Sequence, residues 1–323
     1  MQGSYTAFMF GLPAVRDVHS LAEVMSLSPG LLYKLSAVNH RFYRRFGVPK
    51  KSGGTRIIFN PSREMKAVQA WILRNILDKL QVHQAATAFR RGVGLLQNAD
   101  PHVRNRYFLC LDMEEFFPSI PYAKVYTVFR SVGYFPHVAH ILSCLCTCEG
   151  TLPQGAVTSP ALSNIICFRL DRRISAFVGR RNITYTRYAD DLTFSSMSPN
   201  RLAAIMPTIR HIVEDEGFAL NKAKTRRMGP RQQCRLTGLV VADGRVGIGR
   251  KRKRQIRAAI HHLLTEDMDE QQREQRRAHV QGWLAFMNCV DEPGLRQLHR
   301  HYSVLAERHG LPAPDPARPF VLP

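Results

Sequence analysis

Thr186-Arg187-Tyr188-Ala189-Asp190-Asp191-Leu192-Thr193-Phe194 is a β-rich stretch interrupted by two adjacent aspartates. Successive residues of a regular strand point to opposite faces. Two neighbouring carboxylates can approach one site only where the strand turns. The spacing therefore predicts a strand on either side of Ala189-Asp190-Asp191, with the carboxylates at a hairpin tip. An isolated Asp-Asp pair more often makes an Asx-type turn on a surface hairpin. Here apolar and aromatic residues flank the pair, as in a hairpin packed into a core.

A second carboxylate stands upstream. Tyr107-Phe108-Leu109-Cys110-Leu111 is an apolar run ending at Asp112, the pattern of a strand buried on both faces. A carboxylate there is costly unless something cationic meets it; taken alone, it also suits a turn or helix cap. Asp112, Asp190 and Asp191 together are a set of hard oxygen ligands suited to Mg²⁺. Two such ions can clamp the attacking and leaving oxygens of an in-line phosphoryl displacement.

Outward from these strands the chain alternates helices and short strands. Leu21, Val24 and Met25 recur at helical spacing, and Ser28-Pro29 is a helix start. Val48 to Phe59 reads as two strands around Ser52-Gly53-Gly54. An amphipathic helix is expected over 62–80, with Met65, Val68, Trp71, Ile72, Ile76 and Leu80 inward. Helices are also expected over 121–146, 160–177 and 201–216. Leu236 to Gly249 reads as two strands around Asp243-Gly244, and helices follow from Arg250.

The charge excludes some classes. Lys+Arg is 46 against 25 Asp+Glu, a net +21 over 323 residues. Such a surplus points to a polyanionic partner, nucleic acid above all. No stretch approaches the roughly 20 apolar residues that span a bilayer, and the N-terminus lacks the basic and apolar regions of a signal peptide. The seven cysteines do not form a disulfide framework. Cys144, Cys146 and Cys148 are spaced two apart, which does not put them on one helix face, so they are expected to be structural. A reducing, cytoplasmic setting is expected.

Four segments in order carry a resemblance. Phe108 to Phe117, Leu152-Pro153-Gln154-Gly155 to Pro160, Tyr188-Ala189-Asp190-Asp191 and Gly217-Phe218-Ala219-Leu220-Asn221-Lys222-Ala223-Lys224-Thr225 resemble the palm motifs of reverse transcriptases. The resemblance implies that Asp112, Asp190 and Asp191 are the catalytic metal ligands. Phe117 matches the steric gate, where a bulky ring would clash with a ribose 2′-OH, while Phe116 suits the core. Gln154 should pack beside the incoming nucleotide. Lys50, Lys51 and Arg56 lie on the fingers hairpin within reach of triphosphate oxygens, with no choice made between the lysines. Lys224, or Lys222, matches the lysine that meets the leaving pyrophosphate.

Two further signatures narrow the family. Asn98-Ala99-Asp100-Pro101-His102 fits the Asn-Ala-x-x-His pattern of bacterial retron enzymes, and Leu236-Thr237-Gly238 stands where they have Val-Thr-Gly. The resemblance runs from about residue 20 to about residue 305. It implies an α+β right-hand polymerase fold, with fingers, a palm carrying an antiparallel sheet, and a helical thumb. The expected divisions are an N-terminal helical extension over 1–30, fingers and palm over 31–240, and a basic thumb with a short tail over 241–323. It also implies a structured noncoding RNA as template, dNTPs as substrates, and branched DNA primed from a guanosine 2′-OH. A role in anti-phage defence beside a separate effector protein is implied as well.

RNA binding is expected from Asn98, His102, Thr237 and Gly238, and from the run Arg250, Lys251, Arg252, Lys253, Arg254 and Arg257. That run precedes an apolar periodicity at Ile256, Ile260, Leu263 and Leu264, as on a helix with one basic face. Other readings are a different reverse-transcriptase lineage, a catalytically idle RNA-binding scaffold, or an RNA-dependent RNA polymerase. The Asn98-to-His102 signature, the intact aspartates and Phe117 respectively argue against them.

Overall fold

The structure is a computed structural model that describes residues 11–50, 53–242, 244–308 and 310. Expectations on Lys51, Ser52, Asp243, residues 1–10 and the tail 312–323 lie outside the described residues.

Two short helices come first, α1 (Val18–Val24) and α2 (Pro29–Ala37). Asp17 and Ser28 cap them, each accepting a hydrogen bond from a first-turn backbone N–H. Leu21 and Met25 are buried, but Val24 is 42% exposed. The helix ends at Val24, and the chain turns through Ser26 at φ +56°. Strands β1 (Tyr43–Pro49) and β2 (Thr55–Pro61) pair antiparallel from Tyr43–Pro61 to Pro49–Thr55. Helix α3 (Arg63–Asn75) starts at the Ser62 cap and buries Met65, Val68 and Ile72. It is shorter than expected because Ile76 leaves helical geometry, and a single 3₁₀ turn, Leu77–Lys79, follows.

Next come α4 (Leu95–Ala99), β3 (Tyr107–Asp112), α5 (Tyr122–Ser131) and α6 (Pro136–Cys146). Helix α6 is apolar nearly all round, as suits an interior helix, and packs against α2, α3 and α5. Its Cys146 and the nearby Cys148 are buried, and burial pushes their thiols up to about 12 and about 11. The one helix expected over 160–177 is two, α7 (Ser159–Ile166) and α8 (Phe168–Gly179), which meet at Cys167 where ψ is near 0°. Strands β4 (Thr184–Tyr188) and β5 (Asp191–Ser196) flank the aspartates, and α9 (Pro199–Asp215) follows. The remaining strands are β6 (Arg226–Met228), β7 (Cys234–Leu236), β8 (Leu239–Ala242) and β9 (Arg245–Gly247). Leu236 thus ends a third strand beyond the expected pair. Helices α10 (Arg250–Thr265), α11 (Glu270–Val290) and α12 (Glu292–Arg308) close the described chain.

The chain forms two compact units. The first comprises Met1–Gly92, Leu109–Phe194 and Asn200–Arg226. It holds the β1–β2 hairpin and most of a four-stranded sheet ordered β4-β5-β3-β6. In β3 every residue from Phe108 to Asp112 is buried. The second comprises Val93–Phe108, Ser195–Pro199 and Arg227–Pro323. It holds the antiparallel sheet β7-β8-β9, three mutually packed helices α10, α11 and α12, and α4 against β8 and α11. The architecture is α+β.

Candidate active site

The turn between β4 and β5 is built from the residue before it. Ala189 takes φ +56°, a left-handed conformation that ends β4 sharply. Arg187 lies beneath it, fully buried, and its Nη1 donates to the Ala189 carbonyl at 3.1 Å. The same guanidinium donates to both Asp171 oxygens, at 2.8 Å from Nε and 2.6 Å from Nη2, and to Asn164 Oδ1 at 3.1 Å. Tyr185 completes the network by donating its hydroxyl to Asp171 at 2.8 Å. A bidentate pair in which every guanidinium nitrogen is hydrogen-bonded is the form in which two charges tolerate a dry interior.

Backbone bonds then gather three segments at the aspartates. Met113 N donates to Asp190 O at 3.0 Å, Glu114 N to Ala219 O at 2.8 Å, and Asn221 N to Asp112 O at 2.8 Å. Asp112, the last residue of β3, is thus set beside the Asp190 turn and the loop before β6. In that loop the Asn221 side chain accepts from Ala223 N and Lys224 N, folding a 3₁₀ turn (Lys222–Lys224). Lys224 Nζ consequently reaches both Asp112 oxygens, at 2.9 and 3.0 Å. Of the two lysines left open by the sequence, Lys224 is the one bonded to Asp112.

The electrostatics are those of a surplus of confined negative charge. Burial raises Asp190, and the Asp112 charge adds to it. Burial likewise raises Asp191 to about 6, with further contributions from Asp190 and Asp112. The hydrogen bond to Asp112 raises Lys224. Each of these shifts favours a cation at the cluster. Among the described residues no three His, Cys, Asp or Glu side chains close around one point. The ammonium of Lys224 lies on both oxygens of Asp112 instead. The donor chemistry, three neighbouring carboxylates of which Asp190 and Asp191 are held above the usual range in a half-buried site, fits a divalent cation.

A cavity of about 790 Å³ opens in front of this cluster. Asp190, Lys224, Phe117 and Gln154 line it together with Lys50 and Arg56 of the hairpin. Lys50 Nζ pairs with Glu115 at 3.2 Å. Phe117 is half-buried at the cavity wall, whereas Phe116 is only 4% exposed. The Gln154 loop is pinned to β2 by a Phe59 N–H bond to Gln154 O at 2.8 Å. Gly155 permits that approach: its φ is +119°, and a Cβ there would lie 2.7 Å from the Phe59 carbonyl oxygen.

The second unit treats the expected RNA-binding residues unequally. Asn98 and His102 are 1% and 0% exposed, so neither side chain offers a surface to RNA. His102 Nδ1 lies 2.6 Å from Ser195 Oγ, and burial lowers its pKa to about 4. Asn98 Nδ2 reaches Thr237 Oγ1 at 3.4 Å, so the two signature segments meet. Thr237 and Gly238 form the β7–β8 turn with φ +49° and +92°, and Gly238 is exposed. On α10, Arg250, Lys251, Arg252, Arg254 and Arg257 are exposed. Lys253 is not part of that face: its Nζ pairs at 2.9 Å with Asp291, which is 3% exposed and caps the start of α12. Arg252 lies over the Trp283 ring at 4.4 Å.

Sequence reasoning passed over Arg187, Asp171 and Phe89. A charged residue at an inward position of a buried strand was the available signal for Arg187. Phe89 lines the cavity near Phe117 and Tyr188, but nothing in its neighbours in sequence announces it.

The chain is similar to several known proteins. Residues 48–241 match the family described as reverse transcriptase (RNA-dependent DNA polymerase). The retron Ec86 reverse transcriptase of Escherichia coli is 39% identical over 302 residues, covering 93% of this chain and 92% of that protein. The retron Mx65 reverse transcriptase of Myxococcus xanthus is 36% identical, covering 90% and 72%. Among solved structures, telomerase from Candida albicans aligns over 84% of this chain and 61% of its own, with 12% identity and a TM-score of 0.49.

Proposed function

This chain belongs to the reverse transcriptases of bacterial retrons, and from that premise we propose that it copies a structured noncoding RNA into branched single-stranded DNA, primed from a guanosine 2′-OH of that RNA. It is an RNA-directed DNA polymerase with the α+β right-hand polymerase fold. Residues 31–240 serve as fingers and palm and 241–323 as thumb.

Asp112, Asp190 and Asp191 would hold two Mg²⁺ ions, which supply charge neutralisation at the attacking and leaving oxygens. The chain's own groups do the rest. Lys224 stands at the carboxylates, where its ammonium can meet the negative charge of the departing pyrophosphate. Arg56 and Lys50 line the same cavity as Asp190 and suit triphosphate oxygens. Phe117 reads the sugar and Gln154 packs by the base pair being formed. Arg250, Lys251, Arg252, Arg254 and Arg257 neutralise RNA phosphates without regard to sequence. Asn98 acts from within, by holding the Thr237-Gly238 turn that meets the RNA, and His102 by packing against Ser195 beside it in the same unit. A separate effector protein, an anti-phage role and a cytoplasmic setting complete the proposal. Among the described residues no helix is long and apolar enough to cross a membrane.

One observation carries the catalytic reading: Asp112, Asp190, Asp191 and Lys224 are brought together, with Asp190 and Lys224 lining a cavity that Arg56 and Phe117 also line. Primer extension on an RNA template tests it. Asp190→Asn should fold normally by circular dichroism and lose DNA synthesis. Near-parental synthesis by that variant would refute the assignment.

A further inference from the structure

Phe89 holds a backbone conformation that bulky side chains rarely adopt. Its φ is +59°, and 48% of the residue is exposed. Core packing explains neither property. The segment before it is fastened on several sides. Arg187 N donates to Ala85 O at 2.7 Å, Thr87 N to Arg187 O at 2.8 Å, and Asn164 Nδ2 to Ala88 O at 2.7 Å. Ala85, Ala86, Thr87 and Ala88 are all buried. A strained residue at the end of an over-determined segment is characteristic of a functional site.

The Phe89 ring joins a row. Its centroid lies 6.4 Å from Phe117 and 6.5 Å from Tyr188, the residue that leads into the catalytic turn. Phe117 lies 5.3 Å from Phe116, which lies 5.8 Å from Phe218. All four separations are in the attractive range for aromatic pairs. Phe117 is therefore held between the buried ring of Phe116 and the exposed ring of Phe89. Without Phe89, the cavity side of Phe117 would lose its stop, and the ring would regain rotameric freedom.

We propose that Phe89 is a positioning residue for sugar discrimination, fixing the Phe117 ring where a ribose 2′-OH would strike it. This rests on the reading of Phe117 as the steric gate. A gate that can swing rejects a 2′-OH less sharply while still admitting a deoxyribose. The strained backbone at Phe89 aims the ring at the gate.

The test is single-nucleotide extension, read as the ratio of kcat/KM for a deoxynucleotide to that for the matching ribonucleotide. Phe89→Gly suits it because glycine takes φ +59° without strain, which offsets part of the stability lost with the ring contacts. The ratio should fall roughly 3- to 10-fold, the scale of one aromatic contact, through a gain in ribonucleotide use. Phe89→Leu, which keeps bulk, should fall less. In the Phe117→Val background, Phe89→Gly should add nothing, because both act through one ring. An unchanged ratio in Phe89→Gly, beside a lowered one in Phe117→Val, would overturn the proposal and leave the gate standing. Additive effects would overturn it too, since Phe89 would then act on its own. An unchanged ratio in Phe117→Val would remove the gate itself, and the proposal with it.

Discussion

Asp171→Asn should unsettle the first unit through a residue that touches no substrate. Arg187 is fully buried, and Asp171 supplies the two shortest of its four side-chain hydrogen bonds. Neutralising Asp171 leaves a guanidinium charge uncompensated in the interior, which costs roughly 3–5 kcal/mol. For a unit of about 150–250 residues each kcal/mol moves Tm by roughly 2–4 °C, so a drop of about 6–20 °C is expected. The double variant Arg187→Met/Asp171→Leu removes both charges together and should recover most of that loss, because a packed apolar pair of similar volume is about as stable as a buried ion pair. It cannot restore the bond to the Ala189 carbonyl. With that bond gone the aspartate turn shifts, and a misplacement near 1 Å costs on the order of 100-fold in rate. The double variant should therefore be stable, bind dNTP with a KM near parental, and show kcat lowered about 10- to 100-fold. Trp71 fluorescence in a Trp283→Phe background follows the first unit's unfolding, and single-turnover extension gives kcat. A double variant both stable and fully active would refute the claim that Arg187 holds the catalytic turn.

Other outcomes follow from the same geometry. Gly155→Ala should lower DNA synthesis and cost about 1–3 kcal/mol of stability, since its Cβ would meet the Phe59 carbonyl oxygen at 2.7 Å; urea titration and primer extension would check this. Lowering the pH from 6.5 to 4 should destabilise the second unit: His102 is about 4 when folded against an ordinary 6.5, so protons bind the unfolded chain first, at a cost of roughly 3 kcal/mol once both states are protonated. Trp283 fluorescence in a Trp71→Phe background would report it, and His102→Asn should flatten that acid limb. Replacing Arg250, Lys251 and Arg254 by Gln should reduce the log–log salt slope of single-stranded RNA binding by about 2, at roughly 0.7 per lost phosphate contact. Lys253→Gln should leave that slope alone and lower Tm, because its partner is the buried Asp291.

What was legible in the sequence had a local cause. The strand ending at Asp112 shows itself as a continuous apolar run, and the β4–β5 hairpin as β-rich residues around two aspartates. The fingers hairpin follows from Gly53 and Gly54, which sit at φ +85° and +80°. What was not legible depends on distant partners. Arg187 finds Asp171 on a helix sixteen residues earlier, and Lys253 leaves its basic run only because Asp291 approaches from the end of α11. Asn98 and His102 are expected to bind RNA on the strength of their Asn-Ala-x-x-His signature, yet their partners Thr237 and Ser195 meet them inside. The left-handed turn at Phe89 is imposed by hydrogen bonds to Arg187 and Asn164 that no local pattern encodes.

The central claim, that the carboxylate cluster makes DNA on an RNA, is tested most directly in cells. The chain would be expressed with its flanking operon, and the nucleic acid that co-purifies would be sequenced with and without RNase and 2′–5′ debranching treatment, for the parent and for Asp190→Asn. The account expects single-stranded DNA joined to one RNA through a 2′–5′ linkage in the parent, and the bound RNA alone in Asp190→Asn. Equal DNA in both preparations, or RNA without DNA in both, would contradict it.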